Sequence, residues 1–151
     1  MNKSNSLVLP KLKDCAFCDY ISGKRDYSFV YKDSQIAVMV TREQRGYGHL
    51  LVSPIRHTES ILDLEPLDSE NLLLAVQSAA RAIDLTFHRP GISVWQNNGQ
   101  PAGQAINHLH FHVAGTLDKG GTSWGDVPEL SLADTELIAD KLRENFSMIS
   151  K

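Results

Sequence analysis

His108-Leu109-His110-Phe111-His112-Val113 is the stretch from which the rest of the chain is read. Side chains of an extended segment alternate between faces, so His108, His110 and His112 fall on one side and Leu109, Phe111 and Val113 on the other. One face carries chemistry and the other suits a core. Three imidazoles in a row on a buried face would leave polar nitrogens without partners, a cost that apolar interiors do not repay. The row therefore points to a site.

Upstream, the loop Asn97-Asn98-Gly99-Gln100-Pro101-Ala102-Gly103-Gln104 delivers the chain into this stretch and follows a β-type run, Ile92 to Gln96. Before that run, Asp68 through Phe87 carries apolar residues at 72, 73, 76, 79, 80 and 83, the spacing of a helix with one buried stripe. Asp68 or Ser69 can cap its start. His88-Arg89-Pro90-Gly91 ends it, because Pro cannot continue a helix and Gly accepts a left-handed turn. Nearer the N-terminus, Ser28 to Tyr31 and Gln35 to Thr41 flank the polar Lys32-Asp33-Ser34 as a hairpin. His49-Leu50-Leu51-Val52-Ser53 reads as a third strand stopped by Pro54, with a short helical turn within Thr58 to Leu64. Ala16 to Ser22 reads as a helical turn ending at Gly23. Leu130 to Phe146 reads as a second amphipathic helix, with Asp134 as candidate N-cap and Leu137, Ile138 and Leu142 on its stripe. These runs predict an α+β fold on an antiparallel sheet able to pair edge to edge in a dimer. Residues 1–14 form an N-terminal arm, 15–115 carry the site, and 116–151 hold a Gly-rich loop with Trp124 and the terminal helix.

The 151 residues carry 15 Lys and Arg against 18 Asp and Glu, a formal charge of −3, with no basic block. That balance argues against a nucleic-acid polymer as partner and leaves room for a small phosphorylated ligand held by backbone amides and neutral side chains. Met1 to Asp14 lacks the apolar core of a signal peptide, and runs such as Ile36 to Val40 fall far short of the about 20 residues that span a bilayer. The expectation is one soluble, cytoplasmic domain with no membrane partner.

Three chemistries could use the histidine row: a catalytic metal, nucleophilic attack by a neutral imidazole, or a binding pocket without chemistry. Along a regular strand His108 and His112 stand roughly 13 Å apart, too far to share one ion without a bend. Nucleophilic attack on phosphorus needs donors for the phosphoryl oxygens, and Asn97, Gln104 and the glycine amides before the row can supply them. The two cysteines, Cys15 and Cys18, could be a redox pair, half a metal site, or plain thiols. The polar, Lys-containing segment before them is a poor match to the strand that precedes a thioredoxin-type pair. Half a zinc site is the preferred reading, provided two more ligands exist.

Asn97-Asn98-Gly99, Ala102-Gly103-Gln104 and His108-Leu109-His110-Phe111-His112-Val113 together resemble the signature of the histidine triad (HIT) family of nucleotide hydrolases and transferases. Gly48-His49-Leu50-Leu51-Val52-Ser53-Pro54-Ile55-Arg56-His57 is similar to that family's first motif block, and Cys15-Ala16-Phe17-Cys18 to its N-terminal zinc motif. The resemblance covers about residues 15 to 115, with several spaced blocks in order. It implies a five-stranded antiparallel sheet with a long central helix and a C-terminal helix, assembled as a homodimer with one continuous sheet. It implies His110 as the nucleophile that forms a nucleotidyl-histidine at the α-phosphorus, His112 on the phosphate oxygens and His49 near the leaving group. Asn97, Gly103 and Gln104 would position phosphate and leaving atom. It further implies a structural zinc on Cys15, Cys18, His57 and His108, and no catalytic metal.

Two departures bear on substrate. Ala105 stands where the family usually has a small hydroxyl residue, and Thr41 stands where nucleotide-binding members commonly place an acid for the ribose hydroxyls. The reading that results is a hydrolase of a nucleoside phosphoramidate, phosphate ester or dinucleoside polyphosphate. Its rivals are a non-catalytic nucleotide or phosphometabolite binding protein and a metal-dependent hydrolase. His88 reads as a helix-end residue, Asn98 as a turn residue and Trp124 as a packing or interface residue.

Overall fold

Asp33 closes the first hairpin, its Oδ1 accepting from the backbone N–H of Gln35 at 2.7 Å and Ile36 at 2.8 Å. The computed structural model, which describes residues 6–150, runs in the order α1 (Ala16–Ser22), β1 (Phe29–Lys32), β2 (Ile36–Val40), β3 (Tyr47–Pro54), α2 (Pro66–Phe87), β4 (Ile92–Gln96), β5 (Phe111–Gly115) and α3 (Leu132–Asn145). The five strands pair antiparallel in the order β1-β2-β3-β5-β4. This is the expected α+β architecture, with the long central helix and the C-terminal helix in place.

Strand alternation divides the core between two faces. Ile36, Val38 and Val40 of β2, Leu50 and Val52 of β3, and Leu109 and Val113 pack under α2 and α3. On the opposite face Ala37, Met39 and Leu51 meet Phe17 of α1. Helix α2 approaches through its small residues: Leu72, Ala75, Val76, Ala79, Ala82 and Ile83 form its buried stripe. The expected stripe included Leu73, but Leu73 is 67% exposed because close docking at the alanines rotates it outward. In α3, Ala139 and Leu142 are buried while Leu137 is 62% exposed, for the same reason.

The element boundaries differ from expectation where side-chain chemistry decides them. Pro66 occupies the first turn of α2, where its fixed φ and missing N–H cost nothing, so Asp68 lies inside the helix and does not cap it. Ser131 caps α3, its Oγ accepting from the Asp134 N–H at 3.1 Å, in place of Asp134. His88 ends α2 in a left-handed conformation at φ 51°, its N–H donating to the Asp84 carbonyl. Residues 1–5 of the expected arm lie outside the described residues. Val8 beyond them accepts from the Gln100 N–H at 2.7 Å, so this part of the arm lies against the loop after β4.

The histidine stretch also departs from a plain strand. β5 begins at Phe111, the last residue in register with β3 through Val52. Beyond that point the β3 chain ends in Pro54, which has no N–H to offer, and the Leu109 N–H turns to the Thr58 carbonyl at 2.7 Å. His108, in a bend, and His110 therefore sit ahead of the strand, while His112 is within it. No helix among the described residues is long and apolar enough to cross a membrane.

Leu109 is fully buried between the histidines. Leu109→Ala is expected to cost about 2–5 kcal/mol of unfolding free energy, read from urea denaturation of the two proteins.

Candidate active site and metal centre

The three imidazoles of the row separate into two tasks because backbone groups dictate their tautomers. The His110 Nδ1 lies 2.8 Å from the His108 carbonyl. A carbonyl only accepts, so Nδ1 carries the proton and the lone pair sits on Nε2. A second chain of bonds starts at the Arg45 backbone N–H, which donates to His49 Nδ1 at 3.1 Å. That leaves the His49 proton on Nε2, which donates to His112 Nδ1 at 3.0 Å. His112 consequently carries its own proton on Nε2, as a donor.

Burial keeps this group neutral. Desolvation lowers the His110 pKa below the usual imidazole value. It pushes His49 down to about 3, with Arg45 and His110 adding repulsion. His112 falls to about 2, first through burial and then through the charges of His110, His49 and Arg45. Trp95 stacks flat on His112, with ring centroids 4.7 Å apart and planes 3° apart, and Phe17 stands edge-on to His110 at 4.9 Å.

Two cavities meet at His110 and His112. The smaller, about 210 Å³, is walled by Phe17, Tyr20, Tyr27, Leu51 and Ile106, with Thr41 also on its surface. The larger, about 460 Å³, is lined by Arg45, Trp95, Asn97, Gly103, Trp124 and Asp126. Ala105 and Glu43 border both. Thr41 is 8% exposed, with its Oγ1 accepting from the Glu43 N–H at 3.2 Å. Trp124, read from sequence as a packing or interface residue, is 81% exposed and flanks the larger cavity. Arg45 secures its loop by donating to the Ser123 and Gly125 carbonyls at 3.2 and 2.7 Å.

The loop before the row holds Asn97 and Gly103 on the larger cavity. Gly103 has φ +97°, and a Cβ there would lie 3.4 Å from Asn97 Nδ2, so glycine keeps this turn and the space beside the carboxamide open. Gln104, expected to position phosphate, is instead 3% exposed and lines neither cavity. Its Oε1 accepts from the Gly99 N–H at 2.7 Å, and its Nε2 donates to the Glu59 and Ile106 carbonyls at 2.8 and 2.9 Å. A buried carboxamide must satisfy its polar atoms, and here the loop backbone does so, making Gln104 a staple for the loop. Asn98 is likewise taken up in structure, accepting from the Ile61 N–H at 2.8 Å. His49 is 1% exposed and lines neither cavity itself, lying behind His112 and Trp95, which do.

Cys15, Cys18, His57 and His108 converge on the other side of Phe17, their ligand atoms all within 4.8 Å of one another. His108 Nδ1 lies 3.4 Å from Cys15 Sγ and 3.6 Å from Cys18 Sγ, and His57 Nδ1 lies 3.4 Å from Cys18 Sγ. A tetrahedral zinc with ordinary Zn–S and Zn–N bonds has S···N edges of about 3.5 Å, so the donor set fits that ion. His108 Nε2–H donates to the Pro54 carbonyl at 2.8 Å, which leaves Nδ1 free as the ligand atom. Burial, then the neighbouring Cys15 thiol, push Cys18 up to about 11, a crowding of sulfurs that a dication would relieve. Two thiolates and two imidazoles would hold a structural ion with no open position.

Sequence reasoning passed over Trp95, Arg45, Tyr20, Tyr27 and Phe17. The period-two pattern places Trp95 on one face of β4, but only its register opposite His112 puts it on the site. Arg45 acts through its backbone, which no side-chain motif reports.

The chain matches the HIT domain family model over residues 22–118 and belongs to the HIT family. It is 32% identical to Protein hit of Bacillus subtilis over 115 residues, covering 74% of this chain and 79% of that protein. A hypothetical histidine triad nucleotide-binding protein from Sulfolobus tokodaii superposes with a TM-score of 0.78 at 29% identity, covering 87% of this chain and 91% of the other. A Zn-bound histidine triad family protein from Mycobacterium smegmatis superposes with a TM-score of 0.75 at 26% identity, covering 87% and 92%.

Metal analysis of the purified chain is expected to give about one zinc per chain, and chelation is expected to lower the thermal unfolding midpoint. Cys18→Ser is expected to lose the metal, and an unchanged midpoint after chelation would contradict a structural ion.

Proposed function

We propose that this chain hydrolyses a nucleotide at phosphorus through a nucleotidyl-histidine on His110. The observation that carries the reading is the bond from His110 Nδ1–H to the His108 carbonyl, which directs the Nε2 lone pair away from the backbone at the junction of two cavities. The nucleoside occupies the smaller, aromatic cavity and the leaving group the larger one. His110 Nε2 attacks the α-phosphorus and forms the N–P bond; the bond opposite it breaks and its electron pair departs with the leaving group. Water then attacks the same phosphorus and displaces the neutral imidazole. One water proton ends on the leaving group and the oxygen and second proton on the nucleotide, so the step balances.

In this reading the Nε2–H of His112 is a donor to the phosphoryl oxygens, and His49 is a positioning residue that fixes the His112 tautomer from behind. Asn97 and the Gly103 turn serve the leaving-group side. The substrate class is a nucleoside phosphoramidate, phosphate ester or dinucleoside polyphosphate. No step calls for a catalytic metal, and the zinc expected on the Cys and His cluster stays structural. Ala105, a methyl at the meeting of both cavities, also supports a second reading, a nucleotide or phosphometabolite binding protein without turnover.

We also assign the chain to a homodimer. The edge strand β4, with Val94 48% exposed, supports it. A thiolate metal site suits the reducing cytoplasm.

His110→Ala is expected to abolish turnover of a nucleoside phosphoramidate, with circular dichroism and zinc content unchanged. Acid-quenched wild-type protein is expected to retain a phosphorus-linked nucleotide on His110. Retained turnover in the variant would reject the nucleophile. Because burial lowers the His110 pKa, the free imidazole predominates at neutral pH and protonation removes it only on the acid side. The acid limb of kcat/KM is therefore expected to fall below about pH 6.5, the ordinary histidine value, in a pH series with a fixed substrate.

A further inference from the structure

We infer that the Cys15, Cys18, His57, His108 cluster sets nucleoside recognition, because the metal it suits would hold Phe17 and Tyr20 as one wall of the smaller cavity. This rests on the reading of that cavity as the nucleoside site. Phe17 lies between two of the cluster's ligands in sequence, two residues after Cys15 and one before Cys18. It is 3% exposed, stands edge-on to His110 and packs 5.7 Å from the His108 ring. Tyr20 follows on the same seven-residue helix, with its ring 6.1 Å from Phe17 and stacked on Tyr27 at 4.0 Å, 9° from parallel. All three rings line the smaller cavity.

A helix of seven residues does not persist on its own, since nucleation is costly and few intrahelical bonds repay it. Helix α1 starts on the cluster itself: Cys15 Sγ accepts from the Cys18 N–H at 3.4 Å. Its other anchors include the burial of Phe17 against Ala37, Met39 and Leu51, the stack of Tyr20 on Tyr27, the bond from Lys32 Nζ of β1 to the Ile21 carbonyl and the Arg25–Asp19 ion pair. The sheet side of the cavity has no such dependence, since Leu51 and Thr41 belong to β3 and the end of β2. Binding the ion thus orders the aromatic wall onto a preformed floor. Phe17 and Tyr20 become specificity-determining residues through the metal site behind them. The phosphate end is less affected, because His112, although it also meets His110, is held by His49 and Trp95 of β3 and β4.

The test compares full-length protein loaded with zinc, stripped by chelation and reloaded. Calorimetric titration with AMP, GMP, CMP and UMP reads nucleoside recognition, inorganic phosphate is the control ligand, and hydrogen exchange follows the amides of residues 16–22 against those of β2 and β3. Stripping is expected to weaken the best nucleoside monophosphate by about tenfold or more and to release protection in 16–22 alone. Phosphate binding and sheet protection should hold, and zinc should restore the rest. Equal affinity before and after stripping overturns the inference. Should stripping also release β2 and β3, Phe17→Ala and Tyr20→Ala in the zinc-loaded protein decide. Each is expected to lose nucleoside affinity with zinc content and phosphate binding intact, and unchanged affinity in both overturns the inference. If the loaded wild type binds none of the four nucleotides, the nucleoside reading of the cavity fails and the inference falls with it. Exchange in 16–22 that follows zinc locates that failure in the ligand, not in the ordering of α1.

Discussion

His108 is the residue on which the rest of the structure depends. Its Nε2–H is taken by the Pro54 carbonyl, its Nδ1 faces two cysteine sulfurs, and its backbone carbonyl accepts the proton of His110. One buried side chain thereby ties the end of β3, the N-terminal helix and the candidate nucleophile together. A ring with both nitrogens and its own carbonyl committed has no rotational freedom left, which is the form of preorganisation that a reactive imidazole nearby requires.

The two faces of the sheet divide labour in consequence. The face under α2 and α3 is mainly apolar, so its stabilisation comes largely from area removed from water and from close docking at Ala75, Ala79 and Ala82, with the buried Ser28–Thr135 hydroxyl pair at its margin. The opposite face is narrower, with Ala37, Met39 and Leu51 covered by Phe17 and its α1 neighbours together with Tyr27, Phe29, Ile55 and Ile106. There the polar chain from Arg45 through His49 to His112 occupies the space that a larger core would fill. Its two imidazoles stay neutral because burial lowers their pKa, and each has a partner because the tautomers are set in sequence from the Arg45 backbone N–H. A neutral chain of this kind avoids the desolvation cost that a buried ion pair would carry.

Both departures, at 41 and 105, lie on the surface of the cavities. Thr41 turns its hydroxyl to the Glu43 N–H, so it completes a turn at the cavity wall. Ala105 puts a methyl at the border of both cavities, beside two imidazoles that retain their own hydrogen-bond chains. The surfaces left to meet a ligand are largely aromatic, Phe17, Tyr20 and Tyr27 in the smaller cavity and Trp95 and Trp124 in the larger.

Much of the fold was legible in the sequence. The alternation through 108–113 picked out the buried Leu109 and Val113, helix α2 announced itself by periodicity, and the motif blocks singled out the four residues that converge as the Cys and His cluster and the two histidines at the cavities. These are local properties, carried by residue type and spacing. Apart from the four ligands that the family resemblance brought together, what residue type and spacing did not carry was the partners that lie distant along the chain. That Gln104 staples its loop, that His49 sits behind His112 and that Trp95 covers both follow from register and from where backbone carbonyls end up. The point at which β5 begins was likewise decided by Pro54, more than fifty residues upstream, because a proline without an N–H ends the ladder and frees the histidines ahead of it to take separate roles.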